Sequence, residues 1–369
     1  MFFSFFNFNP LNTRCLMFSM NRTKINPAHW RGFNYLLRDT QFWYDKIMKI
    51  FVTRPIPAVG INLLKEKNYE VAVNKVAKDR AATTEELLTG VHGADAILSI
   101  LTDKITAEII DAGLPTLKII ANYAVGFDNI DTVVAKARNI MVTNTPGVLT
   151  NTVAEHTFAL MLSIAHRVSE ADRFSRAGKY TAWGPELLLG SDVSGKTLGI
   201  VGLGRIGSRV AHHAVNGFDM NVLYTDVNQN VEFEKEFDAS FVKTIDGLLP
   251  QCDFVSLHVP LLPSTHHLMN EARLKLMKKT AYLINTSRGP IVDEKALAAS
   301  LSNGEIRGAA IDVFEFEPAI TPELKRLENI ILTPHIASAT EETRNAMSCL
   351  AAENIIAALE GRTPLNLIK

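Results

Sequence analysis

The chain of 369 residues is poor in cysteine, carries no excess of either charge and has no long apolar run, and each shortage removes a class of protein. Its three cysteines, Cys15, Cys252 and Cys349, are widely spaced and form no C-x-x-C pair, so neither a disulfide framework nor a metal site is suggested, and a reducing cytoplasm is the expected setting. With 38 Lys and Arg against 39 Asp and Glu, the net charge of −1 leaves no electrostatic footprint for nucleic acid or an anionic membrane. No apolar run approaches the roughly 20 residues that span a bilayer. Small-molecule chemistry is the remaining expectation, in a chain long enough for two domains with cores of their own.

Aromatic residues are also sparse, except at the start, where residues 1–47 hold 12 of the 29 in the chain. Five basic and no acidic residues precede Asp39, a charge pattern like that of a mitochondrial transit peptide, although Phe2-Phe3-Ser4-Phe5-Phe6 is a poor opening for one. The basic start and small-residue cleavage site of a secretory signal are missing. Residues 1–47 are read as an extension, disordered or upstream of a true start at Met48, and are left out of the fold argument.

From Met48 onward, short apolar runs alternate with helical segments. Lys49–Thr53, Tyr69–Val73, Ala96–Ile100, Lys118–Ala121 and Ile140–Thr143 read as buried parallel strands, each too short for a helix of typical length. The helical segments at Thr84 and Thr106 open with Thr and place an acid in the first turn, as N-caps and the helix dipole prefer. After a break at Thr145-Pro146-Gly147, the stretch Asn151 to Arg176 predicts one long helix, so apolar that most of its surface must be covered. Further strands are expected at Thr197–Gly202, Asn221–Asp226, Ser240–Val242, Phe254–Val259, Ala281–Thr286, Gly308–Val313 and Ile330–Thr333. The final helix, Glu341 to Leu359, has no strand after it and can return to the first domain. The expected domains are therefore 48–147 completed by 338–369, and 148–337.

Within the second of these, Gly202-Leu203-Gly204-Arg205-Ile206-Gly207 follows an apolar strand directly. In such a G-x-G-x-x-G turn Gly202 makes the tight turn, Gly204 leaves bare backbone for a pyrophosphate, and Gly207 lets helix and strand pack closely. Asp226, at the end of the next strand, can accept hydrogen bonds from a ribose and would repel a 2′-phosphate; no Arg or Lys follows in Val227-Asn228-Gln229. NAD is favoured over NADP. The fold expected is α/β, two Rossmann-like doubly wound parallel-sheet domains, the first flavodoxin-like, with the active site in the cleft between them.

Three further residues sit where strands end: Arg288 after Leu283–Ser287, Glu317 after Ile311–Phe316, and His335 after Ile331–Pro334. Hydride exchange between a nicotinamide and a 2-oxo acid needs such a set. The planar fork of Arg288 matches a carboxylate, His335 can pass a proton to a developing alkoxide, and a Glu317 partner fixes the imidazole and favours its charged form.

From Met48 to the end the chain resembles the D-isomer-specific 2-hydroxyacid dehydrogenases, most closely their glyoxylate and hydroxypyruvate reductase branch. The resemblance rests on Asn122–Asp131, Val153-Ala154-Glu155-His156, Gly195–Gly207, Asn285-Thr286-Ser287-Arg288-Gly289, Asp312–Pro318 and Thr333–Thr340. It implies that His335 is the general acid in reduction, Glu317 its orienting partner and Arg288 the substrate clamp, with Val125 and Gly126 holding the substrate carboxylate through backbone N–H groups. It also implies cofactor contacts from Arg205 and Ile206 at the pyrophosphate, His258, Val259, Pro260 and Thr265 near the adenosine, and Thr286 and Asp312 near the nicotinamide. Trp183 matches a position at which relatives close the pocket of a neighbouring subunit, which implies a homodimer with the helix from Asn151 at its interface.

Glu317 stands where formate dehydrogenases of the superfamily carry Gln, and Ala337-Ser338-Ala339 lacks the aromatics of lactate-type members. The expected activity is thus reduction of glyoxylate or hydroxypyruvate. A short phosphoglycerate dehydrogenase is one alternative; only 34 residues follow His335, where many carry a regulatory domain, and a substrate phosphate would need Lys104 or Arg54. An NAD-sensing corepressor-like interaction protein is the other; such proteins usually have disordered tails, and the sequence stops at Lys369.

Overall fold

The computed structural model describes residues 47–74 and 80–368. The expectation for residues 1–47 therefore falls, apart from Ile47, outside the described residues, as does Cys15. The first sheet contains β1 (Lys49–Val52), β2 (Glu70–Val73), β3 (Ala96–Ile100), β4 (Ile119–Tyr123) and β5 (Met141–Thr143), in the order β2-β1-β3-β4-β5 with every pairing parallel. The second contains β6 (Thr197–Val201), β7 (Asn221–Thr225), β8 (Ser240–Phe241), β9 (Phe254–Leu257), β10 (Tyr282–Asn285), β11 (Gly308–Ile311) and β12 (Ile330–Leu332), in the order β12-β11-β10-β9-β6-β7-β8, again parallel. Parallel strands are covered on both faces, which is why β4, β9 and β10 are buried at every residue. Strand order reverses between β1 and β3 and between β6 and β9, and ligands bind beyond the carboxyl ends at such points.

All seven strands of the second sheet stop one or two residues before their expected ends, β8 at Phe241 and not Val242. β6 ends at Val201 and not Gly202, β7 at Thr225 and not Asp226, β9 at Leu257 and not Val259, β10 at Asn285 and not Thr286, β11 at Ile311 and not Val313, and β12 at Leu332 and not Thr333. Backbone bonds to the neighbouring strand reach one residue further, from Gly202 N to Thr225 O, His258 N to Val201 O, Asp312 N to Asn285 O and Thr333 N to Ile311 O, as the chain turns out of the sheet.

The long helix expected from Asn151 to Arg176 is two helices, Thr150–Ala165 and Val168–Arg176. Arg167 breaks it in a left-handed conformation (φ 56°), a state costing an L-residue roughly 1–2 kcal/mol. The Arg167 guanidinium bonds the Glu170 carboxylate at 2.7 and 2.8 Å, and Ser191 N takes the orphan carbonyl of Ala165 at 2.8 Å. No Gly or Pro marks the break. The apolar face of Thr150–Ala165 is buried within the chain itself, where Phe158, Met161 and Ile164 share a core with Leu198, Val210, Tyr282 and Ala310. Its hydrophobicity therefore needs no second subunit to explain it.

Of the two expected caps one shifts and one is bare: Thr106 stands at the N-cap of Ala107–Ala112 but its side chain makes no cap hydrogen bond. The cap of Thr84–Val91 is Thr83, whose hydroxyl accepts from Glu86 N (3.2 Å) while Glu86 accepts from Thr83 N (2.8 Å), a reciprocal box. The C-terminal helix Glu341–Leu359, capped by Thr340, packs Met347, Ala351 and Ile355 into the core of the first sheet beside Ile50, Leu98 and Ala121. There Ser348 Oγ donates to Pro57 O (2.8 Å) and accepts from Gly60 N (3.2 Å), fixing it against the helix Ala58–Glu66.

Candidate active site

The loops beyond the strand ends of both sheets converge on a cleft of roughly 450 Å³. From the first sheet come Leu101, Val125, Gly126, Phe127 and Asp128; from the second come Gly204, Arg205, Ile206, His258, Val259, Pro260, Thr286, Arg288 and His335.

His335 closes one side. Its backbone is left-handed (φ 55°), held by His335 N donating to Asp312 O at 2.8 Å. The imidazole Nδ1 lies 3.1 Å from Glu317 Oε2, while the other Glu317 oxygen accepts from Phe314 N at 3.0 Å. Nδ1 being taken by a carboxylate, Nε2 is the nitrogen left for chemistry. The two side chains are about a quarter exposed, at 25% and 27%, so the pair is shielded but reachable.

Opposite stands Arg288, whose Nε donates to Asp128 Oδ1 (3.0 Å) and whose Nη1 donates to Ser287 O (2.8 Å). Asn285, buried at the end of β10, ties this turn by donating to Arg288 O (2.9 Å) and accepting from Ser287 N and Oγ. Gly126 lies so close that any side chain there would overlap the Arg288 guanidinium. Asparagines draw the carbonyls of the Val125-Gly126 turn inward: Asn144 Nδ2 donates to Val125 O (2.7 Å), and Asn122 Nδ2 donates to Gly126 O (2.8 Å). Asn122 is itself braced by Ser99 Oγ (2.9 Å) and Asn129 (2.9 Å). With their carbonyls so engaged, the N–H groups of Val125 and Gly126 donate to nothing among the described residues.

The glycine turn meets its three requirements separately. Gly202 has φ 96° and abuts the His258 backbone; a side chain on Gly207 would strike the Gly202 carbonyl; a Cβ on Gly204 would meet nothing within 4 Å. The helix Arg205–Phe218 starts at Gly204 with no side-chain cap, so its first N–H groups face open space. That is a cradle for an anion. Asp226 sits beyond β7, its carboxylate accepting from Leu203 N and Val227 N, both at 2.6 Å. It edges a second hollow lined by Asn228, Gln229, Asn230 and Glu232, with no Arg or Lys. His258 is bonded to Ser256 Oγ (2.8 Å), and burial pushes its imidazole down to about 4. Thr286, in the cleft wall, bonds Thr157 at 3.0 Å.

Three expected residues lie elsewhere. Asp312 is fully buried behind the His335 loop, accepting from Thr333 Oγ1 (2.6 Å), Ile336 N (2.9 Å) and Ala337 N (2.7 Å), with His156 Nε2 3.6 Å away. Burial acts to raise its carboxyl, but these hydrogen bonds outweigh burial and hold it below the ordinary range. Thr265 braces its own loop by donating to Pro260 O (2.7 Å) and accepting from Leu262 N (2.8 Å), outside the cleft lining. Trp183 is 79% exposed and also outside it. Conversely, Asp128, Asn122, Asn144 and His156 were given no role from sequence, and all support the groups just described.

Residues 158–337 match the family described as D-isomer specific 2-hydroxyacid dehydrogenase, NAD binding domain. A glyoxylate reductase of Korarchaeum cryptofilum is 49% identical over 324 residues, 87% of this chain and 95% of the relative. The chain belongs to the D-isomer specific 2-hydroxyacid dehydrogenases. A Thermus thermophilus crystal structure superposes with a TM-score of 0.80 at 42% identity, covering 87% of this chain and all of that one. An NADPH-dependent glyoxylate/hydroxypyruvate reductase of Sinorhizobium meliloti, solved with NADP and malonate, gives 0.76 at 32% identity over 87% of this chain and 97% of that one.

This 2-hydroxyacid dehydrogenase is thus an NAD(P)-dependent oxidoreductase of a small acid. Its own residues fit a dinucleotide: the open space at Gly204 and the uncapped helix suit a pyrophosphate, and the strand reversal between β6 and β9 places the remaining contacts alongside. No helix among the described residues is long and apolar enough to cross a membrane.

Proposed function

We propose that the protein reduces glyoxylate or hydroxypyruvate with NADH to the D-2-hydroxy acid. The observation that carries this reading is the gathering, around one cleft, of the His335–Glu317 pair (3.1 Å), Arg288 and the two free N–H groups of Val125 and Gly126. A bound nicotinamide supplies the hydride. The substrate carboxylate is held by the Arg288 guanidinium and the Val125 and Gly126 N–H groups, which places the carbonyl near His335. In reduction His335 donates its Nε2 proton to the carbonyl oxygen; in oxidation the same nitrogen takes it back. Glu317 fixes the ring and balances the imidazolium charge.

NADH is favoured because a 2′-phosphate would face the Asp226 carboxylate and find no cation in the adjoining hollow. The NADPH-dependent Sinorhizobium relative marks the contrast to be tested. Homodimerisation is proposed through the segment holding Tyr180, Trp183 and Leu189, large apolar side chains exposed at 56%, 79% and 57%. A cytoplasmic setting is supported by the free thiols of Cys252 and Cys349. Arg54 and Lys104, which a phosphorylated substrate would require, are absent from the cleft lining.

The test is oxidation of NADH and of NADPH by purified protein with glyoxylate, hydroxypyruvate, pyruvate and phosphohydroxypyruvate in parallel, with Arg288→Ala as control. Turnover of one of the first two with NADH, lost in the control, is expected. Binding of NADH with no turnover of any acid would remove the reading in favour of an NAD-sensing interaction protein.

A further inference from the structure

We propose that Asp128 is a specificity-determining residue of this cleft: it orients Arg288 and, by keeping its own negative charge on the wall, admits 2-oxo acids with one anionic group and rejects those with a second. The inference rests on the reductase reading and names its substrate class.

Asp128 lies on the loop beyond β4 and Arg288 on the turn beyond β10, so their 3.0 Å ion pair crosses from one sheet to the other. It determines which edge of the guanidinium is presented. Nε is taken by Asp128, Nη1 gives one hydrogen to Ser287 O, and Nη2 is wedged beside Gly126. The remaining hydrogens of Nη1 and Nη2 are left for a single carboxylate, next to the free Val125 and Gly126 N–H groups. The pair does not neutralise the wall from a substrate's point of view. The Asp128 side chain is 43% exposed while Arg288 is 22% exposed, so the acid is the more open partner.

Charge around the cleft is equally selective. Among the described residues lining it, Asp128 is the one acid; the cations are Arg205, Arg288 and, in the reducing direction, His335, whose proton is committed to the carbonyl oxygen and whose charge is balanced by Glu317. Arg205 opens the helix at the glycine turn, where a dinucleotide pyrophosphate takes its charge. Arg288 is shared between Asp128 and the first substrate carboxylate. The rest of the wall toward the first sheet is mostly apolar, with Leu101, Phe127, Leu149 and Met347; its polar side chains are Asn144, already bonded to Val125 O, and the uncharged Thr150 and Ser338, so a second anion finds no cation there. A terminal carboxylate or phosphate would therefore lose solvent, meet Asp128 and gain no cation, whereas the hydrogen of glyoxylate or the hydroxymethyl of hydroxypyruvate loses nothing comparable.

The experiment compares wild type with Asp128→Asn, which keeps shape, and Asp128→Glu, which keeps charge. The kcat/KM for NADH oxidation is measured with glyoxylate and hydroxypyruvate against oxaloacetate and phosphohydroxypyruvate. In parallel, the NADH-loaded protein is titrated with oxamate, which carries one negative charge, and tartronate, which carries two. Removing one half-exposed repulsive charge should shift the ratio in favour of the dianions by roughly tenfold in both kcat/KM and binding. Asp128→Glu should keep the wild-type preference. A uniform loss across all four substrates with an unchanged oxamate-to-tartronate ratio would overturn the proposal and reduce Asp128 to a structural tether. Wild type that turns over no 2-oxo acid would sink the reductase reading, and the binding ratio would then decide the charge filter by itself.

Discussion

Asp312→Asn separates two roles that look alike in sequence. The resemblance assigned Asp312 to the nicotinamide, whereas its carboxylate is buried and bonded to Thr333, Ile336 and Ala337, the loop on which His335 stands. Asparagine keeps the shape and turns one acceptor oxygen into an NH2. If that NH2 faces Ala337 N, two donors oppose each other; if the amide flips, Thr333 can rotate to accept but Ile336 N loses its partner. Either way one buried N–H is orphaned and a charge-assisted bond is lost, a cost of about 3 kcal/mol. A displacement of the proton donor by ~1 Å is worth a further factor of about 100 in turnover. Asp312→Asn should therefore unfold at lower urea and lose roughly 100-fold in kcat, yet bind NADH within about threefold of wild type by fluorescence titration. Near-normal kcat with NADH affinity down tenfold would refute this and restore Asp312 as a cofactor contact.

Other perturbations follow the same geometry. Gly204→Ala should fold normally, because its Cβ meets nothing in the chain, yet lose roughly tenfold or more in NADH affinity, while Gly207→Ala should lower the melting temperature because its Cβ strikes the Gly202 carbonyl. Glu317→Gln should cut kcat by roughly 10–100-fold with NADH binding retained; stopped-flow mixing with the acid in excess would show the loss in the chemical step. The His258 imidazole is depressed to about 4 in the folded protein against ~6.5 unfolded, so the unfolded chain binds more protons between those values. Stability is then full above pH ~6.5 and falls toward pH 4, by about 2 kcal/mol once its partial contact with solvent is allowed for. His258→Gln should flatten that part of the melting-temperature profile, and an unchanged slope would locate the effect elsewhere.

What could be read from the sequence was governed by local rules. Strand periodicity and the glycine turn depend on residues a few places apart, and the C-terminal helix came out with the bounds Glu341–Leu359 that its apolar run suggested. The break at Arg167 was not legible because no Gly or Pro marks it and the Arg167–Glu170 pair would suit a continuous helix as well; what accompanies the break comes from further along, where Leu189 O takes the guanidinium and Ser191 N receives the Ala165 carbonyl. The same distinction divides the site. Arg288, Glu317 and His335 could be picked out as chemistry-bearing residues after apolar strands, but what holds them comes from far along the chain: Asp128 is 160 positions from Arg288, and Asn144 reaches the Val125 carbonyl from beyond the next strand. Asp312 shows a supporting role that its motif alone does not announce. Lying two residues before Phe314 and five before Glu317, it stands beside the reacting groups in sequence, yet the turn after β11 drives it inward, where its bonds to Ala337 N and His335 N hold two residues that do line the cleft. Side chains that act through the backbone of another loop leave no mark in residue type or spacing, so a reading from sequence finds the hands of such a site before it finds the joints.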